Sequence, residues 1–138
     1  MPFLDPNTKQ GAKAQALLDD ALVVWLTTVA ADGRPQASPV WFLVDDDEFL
    51  VYSLDGTPRT RNIADNSQVA LNLDSNAGSD VVSVEGTARI SDDPPSTAND
   101  RYQAKYAGPI DDIGHTPQSF AEAYPVPIRI TPEKWRVW

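Results

Sequence analysis

Two arginines, Arg59 and Arg61, stand where a helix should begin, and between Pro35 and Ala88 they are the only basic residues in an acidic chain. Residues 51–66 read VYSLDGTPRTRNIADN: the end of a strand, a turn on Asp55 and Gly56, then a helix start. Thr57 is a good N-cap, Pro58 suits the first helical position, and Ile63 and Ala64 supply an inward face. A helix N-terminus carries free N–H groups and a partial positive charge, so acidic side chains are its usual occupants. Arginines there oppose the dipole unless an anion lies between them and the helix end. A phosphate would take charge-assisted bonds from guanidinium, backbone and the Thr57 hydroxyl together. The alternative is that Arg59 and Arg61 pair with Asp55, Asp65 or solvent.

Other chemistry is sparse. The one histidine, His115, lies in a loop rich in glycine and proline, with no second histidine to share a metal. It reads as an exposed loop residue rather than part of a Ser-His-Asp triad. Asp45, Asp46, Asp47 and Glu48 lack the spaced ligands and mid-loop glycine of an EF-hand and read as a solvated turn. Glu85 is a candidate base, alone on the polar face of a strand. There is no cysteine, hence no disulfide, thiolate metal site or cysteine nucleophile, and no Walker-type or GxGxxG loop occurs. Trp41, Tyr52, Trp135 and Trp138 suit core or interface packing. Beside an anion site they also suggest a planar, phosphate-bearing cofactor, which would carry the hard chemistry itself. No catalytic side chain and no metal ligand is assigned.

The elements that must position these residues follow from patterning. At 138 residues the chain suits one domain spanning residues 1–138, large enough to bury a core without staples. Asn7 or Thr8 can cap a first helix whose buried face is Ala14, Leu17, Leu18 and Ala21. Strands are expected over residues 21–31 and, after an Asp32-Gly33 turn, over 35–44, where Pro39 marks an edge or a bulge. A third strand, EFLVYSL, would complete a three-stranded meander. Beyond the arginine-bearing helix come VALNLD and VVSVEGTARI. In the latter Val82, Val84, Ala88 and Ile90 alternate with Ser83, Glu85, Thr87 and Arg89, and Gly86 reads as a bulge. Ser96 or Thr97 should cap a third helix with Ala98, Tyr102 and Tyr106 on one stripe, stopped by Gly108-Pro109. A short helix at SFAEAY and a strand VPIRI follow, then a break at Thr131-Pro132 before KWRVW. Strong alternation without a βαβ rhythm points to a mainly β antiparallel barrel or sandwich with added helices.

Net charge is −9, from 20 acidic and 11 basic residues, which argues against nucleic acid and anionic membranes as partners. The N-terminal MPFLDPNTKQ lacks the basic and apolar regions of a signal peptide, and the longest apolar run is too short for a bilayer. The expectation is a soluble cytoplasmic protein.

Three stretches then carry a family resemblance: LTTVAADGRPQASPVWF, VYSLDGTPRTRNIADNSQVAL and the closing PIRITPEKWRVW. With them the chain resembles the flavin and deazaflavin split-barrel proteins of the pyridoxamine-phosphate-oxidase-like superfamily, and most of all its small oxidoreductases that use coenzyme F420. The resemblance implies a six-stranded antiparallel split β-barrel and a homodimer. It implies a cofactor ring along Ser38, Pro39, Val40 and Trp41, and a phosphate held by Tyr52, Ser53, Thr57, Arg59 and Arg61. Trp138 would reach the cofactor of the other protomer. The implied reaction is hydride transfer between F420 and a small conjugated substrate; FMN-dependent oxidoreduction, or cofactor binding without catalysis, stand as alternatives. Many relatives carry lysine where this chain has Arg59, and arginine also binds phosphate, bidentately. The longer C-terminal extension of pyridoxamine phosphate oxidases is not matched, so that substrate is not expected.

Overall fold

A computed structural model describes residues 3–138. Helix α1 (Lys9–Asp20) starts at Thr8, whose Oγ1 accepts the Gly11 N–H at 3.0 Å; Thr8, not Asn7, is the cap. Strand β1 (Val24–Val29), shorter than expected, pairs antiparallel with β2 (Pro35–Val40). Gly33 makes their turn with φ of 86°, a conformation that favours glycine.

The expected strand over 35–44 is two strands. β2 ends at Val40, and β3 (Leu43–Asp45) pairs with β4 (Glu48–Ser53). With β5 (Gln68–Asp74), β6 (Val81–Ile90) and β7 (Val126–Val137), the sheet order is β2-β1-β5-β6-β7-β4-β3. β2 and β3 therefore hold opposite edges of one sheet, with only Trp41 and Phe42 between them. Three Cα–Cα steps cover at most about 11 Å. The edges must meet, so the sheet curls into a barrel split at this seam. Seven antiparallel strands replace the expected six, and two hairpins at opposite ends of the order replace the meander. Pro39 does lie on an edge strand, where a missing N–H costs least.

Strand β7 runs unbroken through Thr131-Pro132, correcting the expected break. The register between β6 and β7 shifts at Glu85/Gly86: Glu85 faces Lys134 while Gly86 faces Pro132. The bulge anticipated at Gly86 absorbs the proline. A Cβ on Gly86 would lie 2.4 Å from the Thr131 carbonyl oxygen, so the close approach requires glycine.

Helix α2 (Pro58–Asp65) begins at Thr57 as expected, and buries Asn62 and Ile63 while Ala64 faces solvent. Helix α3 (Asp100–Asp112) is capped by Asn99; Ser96 and Thr97 belong to a preceding 3₁₀ turn (Ser96–Ala98). Pro109 lies inside α3 rather than ending it, because Ile110, 1% exposed, anchors the last turns. Helix α4 (Pro117–Ala123) carries a capping box between Thr116 and Ser119.

Alternation along the strands builds two cores. Val24, Leu26, Phe49, Val51, Val84, Ile128 and Ile130 fill the barrel, closed by Leu18 of α1 and Ile63 of α2. Ile90, expected on that face, is exposed. Outside the barrel, Leu43, Leu50 and Tyr52 pack against Tyr102, Tyr106 and Ile110 of α3 and Phe120 of α4. Among the described residues no helix is long and apolar enough to cross a membrane.

Candidate functional site

The first turn of α2 sends its two arginines in different directions. Arg59 turns inward: Nη1 donates to Ser53 Oγ at 2.9 Å, Nη2 and Nε to Ser38 Oγ at 3.1 and 3.3 Å. Burial pushes its pKa below the ordinary arginine value. Yet its partners are hydroxyls, and it forms no ion pair among the described residues. A half-buried cation facing only neutral acceptors has given up solvation without a counter-charge. An anion beside it would supply one. Arg61 is exposed and donates Nη1 to the Gly56 carbonyl at 2.7 Å. Neither arginine pairs with Asp55 or Asp65.

Arg59 lines two clefts. One, of about 330 Å³, is walled by Pro39, Val40, Trp41, Tyr52, Phe120 and Tyr124. The other, of about 230 Å³, is lined by Thr28, Gln36, Ser38, Thr57 and Pro58. An aromatic compartment and a polar one thus share a single positive group, an arrangement suited to a planar ring at one end and a phosphate at the other.

The seam positions the aromatic wall. Trp41 stacks on Tyr106 at 4.8 Å and 8°, and on Phe120 at 5.4 Å and 17°. Because the chain leaves the sheet here, Phe42 needs partners outside the ladder. Tyr106 Oη accepts the Phe42 N–H at 2.7 Å and lies 2.8 Å from the carbonyls of Phe42 and Leu22. Lys105 Nζ donates to the Phe42 carbonyl at 2.9 Å. Burial raises the pKa of Tyr106 far above the usual phenol range, so its hydroxyl stays neutral.

Of the residues singled out in the sequence, Ser38, Pro39, Val40, Trp41, Tyr52, Thr57 and Arg59 line these clefts, and Ser53 contacts them through Arg59. Tyr52 contributes its ring only, since its hydroxyl donates to the Pro94 carbonyl at 2.9 Å. Arg61 and Trp138 line neither cleft. The Trp138 Nε1 donates to the Gly78 carbonyl at 2.8 Å, beside the β5–β6 turn, with the ring half exposed. His115 Nδ1 lies 2.9 Å from Ser119 Oγ, the oxygen that accepts the Thr116 N–H; the pair belongs to the α4 cap.

Sequence reasoning missed two groups. Phe120 and Tyr124, stacked at 4.5 Å, close the aromatic cleft; their i, i+4 spacing was the available signal. Asn62 Nδ2 donates to Thr28 Oγ1 at 2.9 Å and to Gln36 Oε1 at 2.8 Å, fixing the floor of the polar cleft. Asn62 lay one position before the apolar pair assigned to the inward face.

Solved structures share this architecture. An F420 reductase is 26% identical over 88% of this chain and 94% of its own, with a TM-score of 0.71. The protein Rv2991 of Mycobacterium tuberculosis is 21% identical, over 92% of this chain and 82% of its own, with a TM-score of 0.74. A FAD-binding protein of Mesorhizobium loti is 19% identical, over 90% of each chain, with a TM-score of 0.67. No curated protein matches in sequence. The sequence pattern of the pyridoxamine 5'-phosphate oxidase family matches residues 11–138, and the chain belongs to that family.

Proposed function

We propose that the protein binds coenzyme F420 at the two clefts and transfers a hydride between it and a small conjugated substrate. The observation that carries this reading is Arg59, a half-buried guanidinium with no counter-ion among the described residues, at the junction of an aromatic and a polar compartment. The likeness to an F420 reductase supports the choice of deazaflavin.

Arg59 would hold a phosphate, with Ser38, Ser53 and Thr57 offering hydroxyls around it. Val40, Trp41, Tyr52, Phe120 and Tyr124 would wall the ring and exclude water, which strengthens every charge interaction inside. As an edge strand, β2 leaves main-chain groups along one side without ladder partners, and these can bond a planar heterocycle. When bound, the deazaflavin supplies the hydride-carrying carbon.

The site reads as shared between two copies of the chain. Trp25 on the outward face of β1 is 52% exposed and Val23, just before the strand, 39%, and Trp25 faces Pro39 across the β1–β2 ladder. A second protomer seated on this face would border the aromatic cleft directly, and its Trp138 is the proposed reach across.

Parallel titration of the purified protein with F420 and FMN tests the reading, followed by an acceptor screen with the tighter ligand. Tighter F420 binding with turnover of an acceptor is expected. Equal or tighter FMN binding would move the assignment to the flavin, and binding without reduction of any acceptor would remove the enzymatic role.

A further inference from the structure

Arg59 has a counterpart elsewhere. Among the described residues, Lys105 is the other half-buried basic side chain outside any ion pair. It lines a separate cleft of about 280 Å³ between the N-terminal segment, α1, β3 and α3, just below the usual range for drug-sized ligands and so sized for a small one. The walls are mixed, their apolar part coming from Phe3, Leu4, Ala14, Leu18, Leu43 and Val44.

An ammonium has three donors. Lys105 Nζ places one on the Phe42 carbonyl at 2.9 Å and lies 3.7 Å from the Phe42 ring centroid. Among the described residues no other acceptor takes a hydrogen bond from it. Three further charged groups line the cleft. Arg101 is committed to Asp45 Oδ1 and the Val44 carbonyl, each at 2.8 Å. Asp19 of α1, whose carboxylate favours the charged form of Lys105, and Asp47 of the β3–β4 turn lie at the same cleft and oppose any anion, a multiply charged one such as phosphate most of all. One available cation, two acidic neighbours and an apolar wall select a monoanion with an aliphatic tail.

We propose that the α1–β3–α3 cleft is a second ligand site that takes a small aliphatic carboxylic acid, its carboxylate on Lys105 and its tail against Ala14, Leu18, Leu43 and Val44.

Charge on Lys105 is available over a defined range. Burial pushes its pKa down to about 8, so the ammonium predominates at neutral pH and is lost through pH 8, where the acid stays ionised. A bound carboxylate raises that pKa, and affinity must fall as pH rises.

The test is a titration of the full chain with hexanoate and, in parallel, 1-hexanol, followed by amide NMR at neutral pH and at about pH 9.5. Hexanoate should saturate at neutral pH, with shifts gathered at Ala14, Leu18, Leu43 and Val44. Affinity should drop about tenfold or more at the higher pH and in Lys105→Gln, the scale of a lost charge-assisted hydrogen bond. The pH series uses the native chain, so it stands if the variant folds poorly. Four results would each overturn the proposal: no saturation by hexanoate, equal binding of hexanol, affinity independent of pH, or shifts centred on Trp41 and Tyr124 in the other cleft.

Discussion

Arg59 Nη1 lies 2.9 Å from Ser53 Oγ, so the first turn of α2 is bonded back to the last residue of β4 across the turn that joins them. The same guanidinium bridges to Ser38 on β2. One side chain thereby links the strands on both sides of the seam without a carboxylate to balance it. Folding alone would be served as well by an apolar residue, which frames the first prediction.

Arg59→Met keeps the apolar stem and removes the charge. Cofactor affinity should fall by about 1–3 kcal/mol, the scale of a hydrogen bond to a charged group. The melting temperature should hold or rise, because an uncompensated half-buried cation costs desolvation. Arg61→Ala should weaken binding less, since Arg61 is exposed and bonds its own turn. Calorimetric Kd values and thermal melts decide; a lower melting temperature with unchanged Kd would assign Arg59 to folding.

Acid should unfold the protein partly through Asp93. Arg129, 9% exposed, donates Nη2 to Asp93 Oδ1 at 2.7 Å and to Asp45 Oδ2 at 2.8 Å. Its guanidinium holds the Asp93 carboxyl at about 2, below the ordinary 3.8. A carboxyl pKa depressed by folding adds stability that is complete above the unfolded value and is lost as pH falls through the folded one. About 2 kcal/mol should therefore disappear between roughly pH 4 and pH 2. Urea unfolding across that range should show a shallower loss in Asp93→Asn; parallel slopes would discount the pair.

Two glycines should respond oppositely to alanine. Gly86→Ala drives a Cβ against the Thr131 carbonyl and should cost about 1–3 kcal/mol, as overpacking does. Gly108 lies inside α3 with nothing beyond its chain neighbours within 4 Å of a built Cβ, but the ring of Pro109 restricts the residue before it, so Gly108→Ala should stabilise by less than the about 1 kcal/mol of an ordinary helix position. Denaturant midpoints measure both, and a neutral Gly86→Ala would mean the bulge can relax.

Tyr106→Phe strips the seam of its hydroxyl. The Phe42 N–H loses its acceptor inside the protein, at a cost of about 1–3 kcal/mol, and the ring that Trp41 stacks on loses the hydrogen bonds that anchor it. Lower stability together with a changed near-UV circular dichroism spectrum is expected. An unchanged spectrum would mean that Phe120 alone orients the indole.

Trp25→Lys places a charge on the outward face of β1. If two protomers meet there, sedimentation should shift from dimer to monomer and cofactor affinity should fall with it. Trp138→Ala should lower affinity while leaving the dimer assembled. A native chain that sediments as a monomer would remove the shared site.

What the sequence determined by itself is what a few neighbouring residues decide among themselves. Thr57-Pro58 starts α2 because a cap needs contacts only three residues away, and Gly86 marks its bulge because alternation breaks there. The conflict of two arginines with a helix dipole is likewise local, and it singles out Arg59 and Arg61 as candidate anion ligands. Only the tertiary structure decided the rest. The run from Pro35 to Val44 looks like one strand, since nothing local forbids it; it splits at Trp41–Phe42 because its halves pair with β1 and β4 on opposite edges of the sheet. Thr131-Pro132 looks like a stop until β6 supplies the bulge that tolerates it. Which arginine turns inward depends on Ser38, 21 residues away from Arg59 in the chain, and the aromatic wall depends on α4 folding over a strand end far earlier in sequence. Hydrogen bonds within a turn or helix reach about four residues, whereas burial and strand pairing join segments that no local pattern can bring together.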